Sequence, residues 1–579
     1  MKYSNVKKRD DETRSIADVC LKNLGVDNTD EINGWFQKSY DHGYRIDGID
    51  EAIELIENGG WERVHIVGDY DVDGETATAQ MVTVLKELGY PVTYRIPKRF
   101  SEGFGLNRQI IDELPDKKIL IITVDNGIAA LEAVKAAKER GFTVIVTDHH
   151  LPITENGSAI LPEADLIIDP NAIPGSADFN GYCGAGIANR IVTRMLEKRI
   201  ESLPFNDENT LKLRALKANM QVLAMIGTVC DVMQLREENY VIVRNGLKKL
   251  NMRVAPMGVL ALCDQMYLEH PTATDIAFKL GPALNANARL FDEGADLSVR
   301  LLCGDIYNEV CALAQSSVTN NVVRKQLVSD GLKQAEEIIS ANGWEKDLPM
   351  VLFLPDAKEG VIGIVASSLC EKYRTTVMVF TRSDKDGILK GSGRSIEGVH
   401  LKDLLDAAAD EFVVYGGHAG AAGMSVREDN LDHMREAIQA EAAKRGYTPL
   451  DAETLYFDLS ISAAEVENAL AQLERFAPFG EGNRPLVFEI KNFKSFAKQV
   501  IGADGKTVKL TAENGMNALG FSMSEEFETS NALSYTLYGE LGYNYFKGER
   551  TPQILFTAFE ETLAEAVATK PKRAKKVTA

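Results

Sequence analysis

Three apolar segments in the first quarter of the chain each run straight into residues that packing does not ask for. Val64-His65-Ile66-Val67 opens onto Gly68-Asp69-Tyr70-Asp71-Val72-Asp73-Gly74. Ile119-Leu120-Ile121-Ile122-Thr123-Val124 opens onto Asp125-Asn126-Gly127, and Phe142-Thr143-Val144-Ile145-Val146-Thr147 onto Asp148-His149-His150. Helical patterns lie between them, and apolar strands alternating with helices read as a parallel, doubly wound α/β sheet. The carboxyl ends of such strands share one edge, so five Asp and two His are expected to converge there. Like charges about 4 Å apart repel by roughly 4 kcal/mol at an effective dielectric of 20, so the crowd requires protonation or bound cations. Cations are the simpler reading.

A chain of 579 residues is too long for one core, and roughly three or four domains are expected. Seven cysteines with no C-x-x-C pair argue against structural zinc and a disulfide framework, and suit a reducing compartment. No apolar run approaches the roughly 18 residues of a membrane span, so a cytoplasmic protein without a membrane partner is expected. The net charge of −21 argues against coating a polyanion, but not against a local basic groove.

Along the chain, residues 1–50 read as an N-terminal helical segment and 51–304 as the α/β catalytic domain. Strands are expected near 64–68, 92–96, 119–124, 142–147 and 165–168, with helices Glu75–Leu88 and Ala129–Arg140 between them. Helices follow from about 185 to 300. Apolar residues at helical spacing predict a long linking helix within 305–345. A second, smaller α/β domain is placed at 346–448, with strands near 350–354, 376–381 and 388–392. Short alternating strands with turn signals predict a β-barrel over 449–566. A basic tail, expected to be disordered, closes the chain at 567–579.

Asp69, Asp71 and Asp73 alternate with Tyr70 and Val72, so an extended conformation would point three carboxylates one way, with Gly68 and Gly74 permitting a tight turn. An EF-hand loop is excluded because no Glu stands at its twelfth position. Asp125 or Asp148 alone would read as a helix cap. Together with His149 and His150 the set is rich in oxygen, which favours manganese or magnesium over zinc. Two such ions about 3.5–4 Å apart would activate water for displacement at phosphorus.

Asp71-Val72-Asp73, Val124-Asp125-Asn126-Gly127 and Asp148-His149-His150 resemble the signature of the DHH phosphoesterase superfamily, and Gly227-Thr228-Val229-Cys230-Asp231-Val232 resembles its fourth metal motif. Tyr415-Gly416-Gly417-His418-Ala419-Gly420 is similar to the DHH-associated domain (DHHA1). Tyr182-Cys183-Gly184-Ala185-Gly186, Glu359-Gly360-Val361-Ile362-Gly363, Lys390-Gly391-Ser392-Gly393-Arg394 and Pro478-Phe479-Gly480-Glu481-Gly482-Asn483 resemble the RecJ single-strand exonucleases in particular. The resemblance spans about residues 40 to 560.

That resemblance implies 5′-to-3′ exonuclease action on single-stranded DNA, releasing 5′-mononucleotides in repair and recombination with two Mn2+ or Mg2+ ions. It implies Asp69 and Asp71 on one ion, Asp73, His149 and Asp231 on the other, and Asp125 bridging. Asp148 would orient His149, and His150 would face the scissile phosphate. Arg99, Arg289, Ser392, Gly393, Arg394, Gly416, Gly417 and His418 would bind the 5′-phosphate. Lys358 and Ala288 depart from the family pattern, which commonly has His and Gly there. The C-terminal region resembles an OB-fold, with Phe521, Tyr535, Tyr538 and Tyr545 as candidates for base stacking beside their ordinary use as core. A monomer is expected, with a helicase and a single-strand-binding protein as companions of end resection. The rival readings are a DHH phosphodiesterase on short oligonucleotides or cyclic dinucleotides, and an inactive replication scaffold.

Overall fold

The computed structural model describes residues 3–561 except 11–13, 42, 156, 452, 503–504, 529–531 and 533, so the tail expected at 567–579 lies outside the described residues. The chain forms two compact units: residues 26–451 with 478–483, and residues 1–25 with 452–477 and 484–579.

The larger unit is built on five parallel strands. β1 (Arg63–Val67) is followed by α1 (Val72–Glu87), β2 (Val92–Arg95), β3 (Ile119–Val124), α2 (Leu131–Glu139), β4 (Thr143–Thr147) and β5 (Leu166–Ile168). The strands lie in the order β2-β1-β3-β4-β5, so the order reverses between β1 and β3. At such a switch point the connections on either side diverge and leave a crevice at the carboxyl ends. The first two candidate metal-ligand clusters, at the ends of β1 and β3, flank that reversal.

Burial explains the composition of these elements. β3 is buried at every position, as a central parallel strand covered on both faces must be. α1 is buried along almost its whole length against α3 (Gly184–Glu201), α4 (Glu208–Cys230) and the helix Gly294–Cys303. Among its buried polar side chains, Gln80 Nε2 donates to Ala185 O (3.0 Å) and Gln80 Oε1 accepts from Asn189 Nδ2 (2.8 Å), clamping α1 to α3, whereas the Glu75 carboxyl and Thr78 Oγ1 have no hydrogen-bond partner within the described residues. An unmatched buried amide costs about 1–3 kcal/mol, so this clamp fixes the relative position of the two helices.

Beyond α5 (Gly281–Leu290), α6 (Tyr307–Asn342) runs for 36 residues. A second sheet follows, of β6 (Met350–Phe353), β7 (Val377–Arg382), β8 (Ile388–Arg394), β9 (Val414–Gly417) and β10 (Ala421–Arg427), in the order β9-β10-β8-β7-β6. α7 (Glu359–Tyr373) joins β6 to β7, which pair in parallel; the remaining pairs are antiparallel. The β9–β10 hairpin, absent from the expected strands, contains the Gly-Gly-His motif.

The smaller unit holds a seven-stranded sheet in the order 459–462, 488–494, 534–546, 549–561, 517–520, 507–511, 497–501. Register shifts at Ile490/Phe493 and Tyr538/Gly539 bend it. Residues 1–50 are not wholly helical: Tyr3–Lys8 is a strand pairing in parallel with Glu453–Phe457. The polar sequence of that strand carries no alternation, and its partner lies at the other end of the chain. Asp458, with its side chain 2% exposed, ties the same region together by accepting from Arg9 (3.0 Å) and Arg484 (2.6 Å).

Candidate metal centre and phosphate pocket

Three strands of the first sheet extend the ladder by one hydrogen bond into a motif. Gly68 N donates to Arg95 O, Asp125 N to Thr147 O and Asp148 N to Ile168 O, each at 3.1 Å. The candidate ligand residues are therefore held by sheet geometry. Asp125 adopts φ 63°, a left-handed conformation that Asn and Asp tolerate better than most residues. Asn126 secures it, donating to Val67 O (3.0 Å) and Val124 O (2.9 Å) and accepting from Leu106 N (3.0 Å). Sequence reasoning quoted Asn126 without giving it this role.

The three carboxylates after β1 are not presented by an extended segment. Asp71 is the N-cap of α1, accepting from Asp73 N (2.9 Å) and Gly74 N (3.1 Å), and Asp73 lies in the first turn. An Asp side chain can satisfy the orphan donors of a helix start, so the helix begins three residues earlier than periodicity indicated. Gly74 serves close approach and no turn: a Cβ there would sit 2.6 Å from the backbone of Asp69. Both oxygens of Asp73 accept from the start of α3, from Gly184 N (2.6 Å) and Ala185 N (2.9 Å), where the helix dipole favours a negative charge. Gly184 is required as well, since its Cβ would come within 2.4 Å of Asp125 Cβ.

Donor atoms of Asp69, Asp71 and Asp125 lie within 4.8 Å of one another, as do those of Asp73, His149 and Asp231, and those of Asp125, His149 and His150. His149 Nε2 is 3.1 Å from Asp125, 3.6 Å from Asp231 and 3.8 Å from Asp73. Burial, then the neighbouring carboxylates, pushes Asp69 and Asp125 far above the ordinary range and Asp231 up to about 8. Asp69 Oδ1 and Asp125 Oδ1 are buried without a hydrogen-bond partner. Orphaned, crowded oxygens beside one imidazole fit a hard divalent cation.

Asp148 meets His150 and not the His149 ring. Its Oδ1 is 2.7 Å from His150 Nδ1, and the carboxylate also accepts from Ile128 N, His149 N and His150 N. The local turn brings the second imidazole back over the carboxylate, whereas the first points at Asp125. Burial opposes the charge on His150, but Asp148 outweighs it and lifts the imidazole to about 9, so His150 is a cation at neutral pH. Its ring packs edge-on against Phe104, which meets Tyr70, on which Arg99 stacks.

Ser392, Gly393 and Arg394 lie on β8, where Arg394 Nη1 donates to Ser392 Oγ (3.1 Å) and Gly393 O (2.7 Å). In the cross-strand register Ser392 faces Gly423, which faces Gly416, and Gly393 faces Ala422, which faces Gly417. The glycines thus lie in line with the Ser-Gly-Arg segment two strands away. His418 is exposed in the hairpin turn, with its backbone N–H donating to Ala421 O (2.8 Å). Arg289 reaches Gly360 O (3.2 Å). Glu75, fully buried one turn into α1, was missed by sequence reasoning; burial, countered by Ser298, holds its carboxyl far above the usual range. A separate cleft of about 830 Å3 has three of its four arginines, Arg45, Arg190 and Arg194, paired with Asp47, Glu238 and Asp50, and the fourth, Arg214, stacked on Phe205. In the smaller unit Tyr535 and Tyr538 belong to the core, whereas Phe521 and the unforeseen Phe496 are 62% and 78% exposed.

Comparison with known proteins extends the resemblance. Residues 63–227 match the DHH family N-terminal domain, 350–444 the DHHA1 domain and 457–558 the RecJ OB domain. The single-stranded-DNA-specific exonuclease RecJ of Haemophilus influenzae is 30% identical over 569 residues, covering 94% of this chain and 96% of its own length. That of Salmonella typhimurium is 32% identical, covering 88% and 90%. Among solved structures, RecJ of Thermus thermophilus in complex with Mn2+ superposes with a TM-score of 0.70 at 26% identity, covering 90% of this chain and 72% of that one. Exonuclease RecJ bound to manganese gives 0.58 at 30% identity, covering 69% and 95%. With three such domains in succession and relatives alike over nearly their whole length, the chain belongs to the RecJ family of single-stranded-DNA-specific exonucleases.

Proposed function

We propose that this protein is a metal-dependent exonuclease that hydrolyses single-stranded DNA from the 5′ end and releases 5′-mononucleotides. The observation that carries the reading is the convergence, at one sheet edge, of an unsatisfied carboxylate cluster with the cationic His150. Asp69, Asp71 and Asp125 would hold one Mn2+ or Mg2+ ion, and Asp73, His149 and Asp231 a second, with Asp125 shared. Two such ions supply Lewis-acid polarisation of the scissile phosphate and of the attacking water.

The chain's own groups do the positioning. Asp148 fixes the His150 ring and keeps it protonated, so that it donates to a non-bridging phosphate oxygen as charge develops. The N-terminus of α3 holds Asp73 rigid. Arg394, Ser392 and Gly393, with Arg99 and Arg289, bind the terminal phosphate, and Gly416 leaves open backbone along the same row. All the ligands are present, which disfavours an inactive scaffold. Action in the cytoplasm as a monomer, beside a helicase and a single-strand-binding protein in repair and recombination, completes the reading.

Strands labelled at the 5′ or the 3′ end, and blunt duplexes, are incubated with Mn2+, Mg2+ or chelator. Release of labelled mononucleotide from the 5′ end of single strands, abolished by chelator, is expected. Digestion from the 3′ end, or of blunt duplex as readily, would overturn the assignment.

A further inference from the structure

His149 and His150 are neighbours in the chain, and their own chemistry does not decide which of them enters the ion site. Their ring centroids lie 4.4 Å apart, and both rings offer a nitrogen within 4.8 Å of a carboxylate oxygen of Asp125. Asp148 takes up the His150 ring. The direction of the His149 ring then depends on the backbone that carries it. The peptide between the two residues is held from both sides: its N–H, on His150, donates to Asp148 Oδ1 (3.2 Å), and its carbonyl, on His149, accepts from Asn171 Nδ2 (2.6 Å). The N–H and C=O of a planar trans peptide point in opposite directions, so two such bonds fix its rotation.

Asn171 comes from beyond the neighbouring strand. β4 pairs in parallel with β5, Thr147 beside Ile168, and one bond further on Asp148 N donates to Ile168 O (3.1 Å). Past the end of β5, Pro170 restricts φ and Asp169 closes a turn, its Oδ1 accepting from Asn171 N (2.8 Å) and Ala172 N (3.0 Å). Asp169 is itself buried, at 1% exposure, and its carbonyl accepts from Ile173 N (3.1 Å). The turn is thereby anchored, and it aims one side-chain amide back at His149. Among the described residues Asp169 belongs to none of the candidate ion groups, so the turn serves the histidines and not an ion. An amide suits the place because it donates without charge: a lysine would repel the cations, and a carboxylate would repel the carbonyl.

We propose that Asn171 is a positioning residue for the paired histidines: by holding the peptide between them it directs the His149 ring to Asp125, Asp73 and Asp231 and leaves His150 facing the substrate. That role rests on the ion and phosphate contacts assigned above to His149 and His150. Without the amide the His149 carbonyl loses this partner and the peptide can rotate, carrying both rings with it. Removing a group that orients a metal ligand in this way costs roughly tenfold to a hundredfold in metal affinity.

The full chain carrying Asn171→Ala, the near-isosteric Asn171→Leu or His149→Ala is treated with chelator and titrated with Mn2+ by calorimetry. Hydrolysis of a single-stranded oligonucleotide is followed over the same Mn2+ range. Both Asn171 variants are expected to bind Mn2+ about tenfold to a hundredfold more weakly, with hydrolysis at limiting Mn2+ falling in step and recovering in part at saturation. A lower melting temperature of the metal-free protein with Mn2+ affinity unchanged would make Asn171 a merely structural residue and overturn this role. Wild-type affinity and rates in both variants would overturn it too, when His149→Ala does weaken binding. If His149→Ala leaves Mn2+ binding intact as well, His149 is no ligand and the role of Asn171 falls with that assignment.

Discussion

Asp73 and Asp231 stand on the same candidate ion, but their surroundings make them different targets for mutation. Asp73 accepts two backbone N–H groups of α3, so Asp73→Ala removes a candidate metal ligand and also leaves two buried donors unpaired. A loss of hydrolysis there is expected to come with roughly 1–3 kcal/mol of destabilisation, seen as a lower melting temperature. Asp231 is the C-cap residue of α4 and its side chain is 27% exposed. Asp231→Asn is therefore expected to reduce kcat/KM by about a thousandfold with melting nearly unchanged; activity near wild type would remove Asp231 from the ligand set. His150 differs from both, because its charge depends on Asp148. Asp148→Asn is expected to move the basic limb of the kcat/KM profile from about pH 9 toward the ordinary imidazole value near 6.5, through loss of the protonated form.

Secondary elements act by close approach. α3 starts against Asp125 with no room for a side chain, and a Cβ on Gly184 would sit 2.4 Å from Asp125 Cβ. Gly184→Ala must shift either the helix or the left-handed Asp125. A drop in kcat/KM of about a hundredfold is expected with the far-ultraviolet circular dichroism retained, since sub-ångström misplacement of a ligand is costly; full activity would show that the helix start yields freely. In the C-terminal sheet the two classes of aromatic separate in the same way. Phe496→Ala is expected to weaken single-strand binding by about 1–3 kcal/mol in fluorescence anisotropy while melting stays put. Tyr535→Ala, at 1% exposure, should instead cost about 3–5 kcal/mol of stability.

Across the whole molecule, an acidic chain of net charge −21 concentrates carboxylates that cannot all ionise without a counter-charge. Asp231, raised to about 8 in the metal-free protein, keeps a proton that the unfolded chain releases near pH 4. The folded state thus holds more protons across that window, and this group's contribution makes stability fall as pH rises from about 4 to about 8. Manganese replaces those protons. The gain in melting temperature on adding Mn2+ to chelator-treated protein is accordingly expected to be larger at pH 8 than at pH 5; equal gains would mean that the carboxylates do not hold the ion.

The parallel sheet and its ligand edge are legible in the order of residues alone, because strand periodicity and the polar residues at strand ends are local signals. The same signals place the second α/β domain, the linking helix and the β-rich C-terminus in order. Local periodicity does not show that Asp71 caps a helix, that Asp148 binds His150, or that Tyr3–Lys8 pairs with a strand near the other end of the chain. Those features emerge on folding, since capping, side-chain orientation and long-range pairing depend on how groups meet in space.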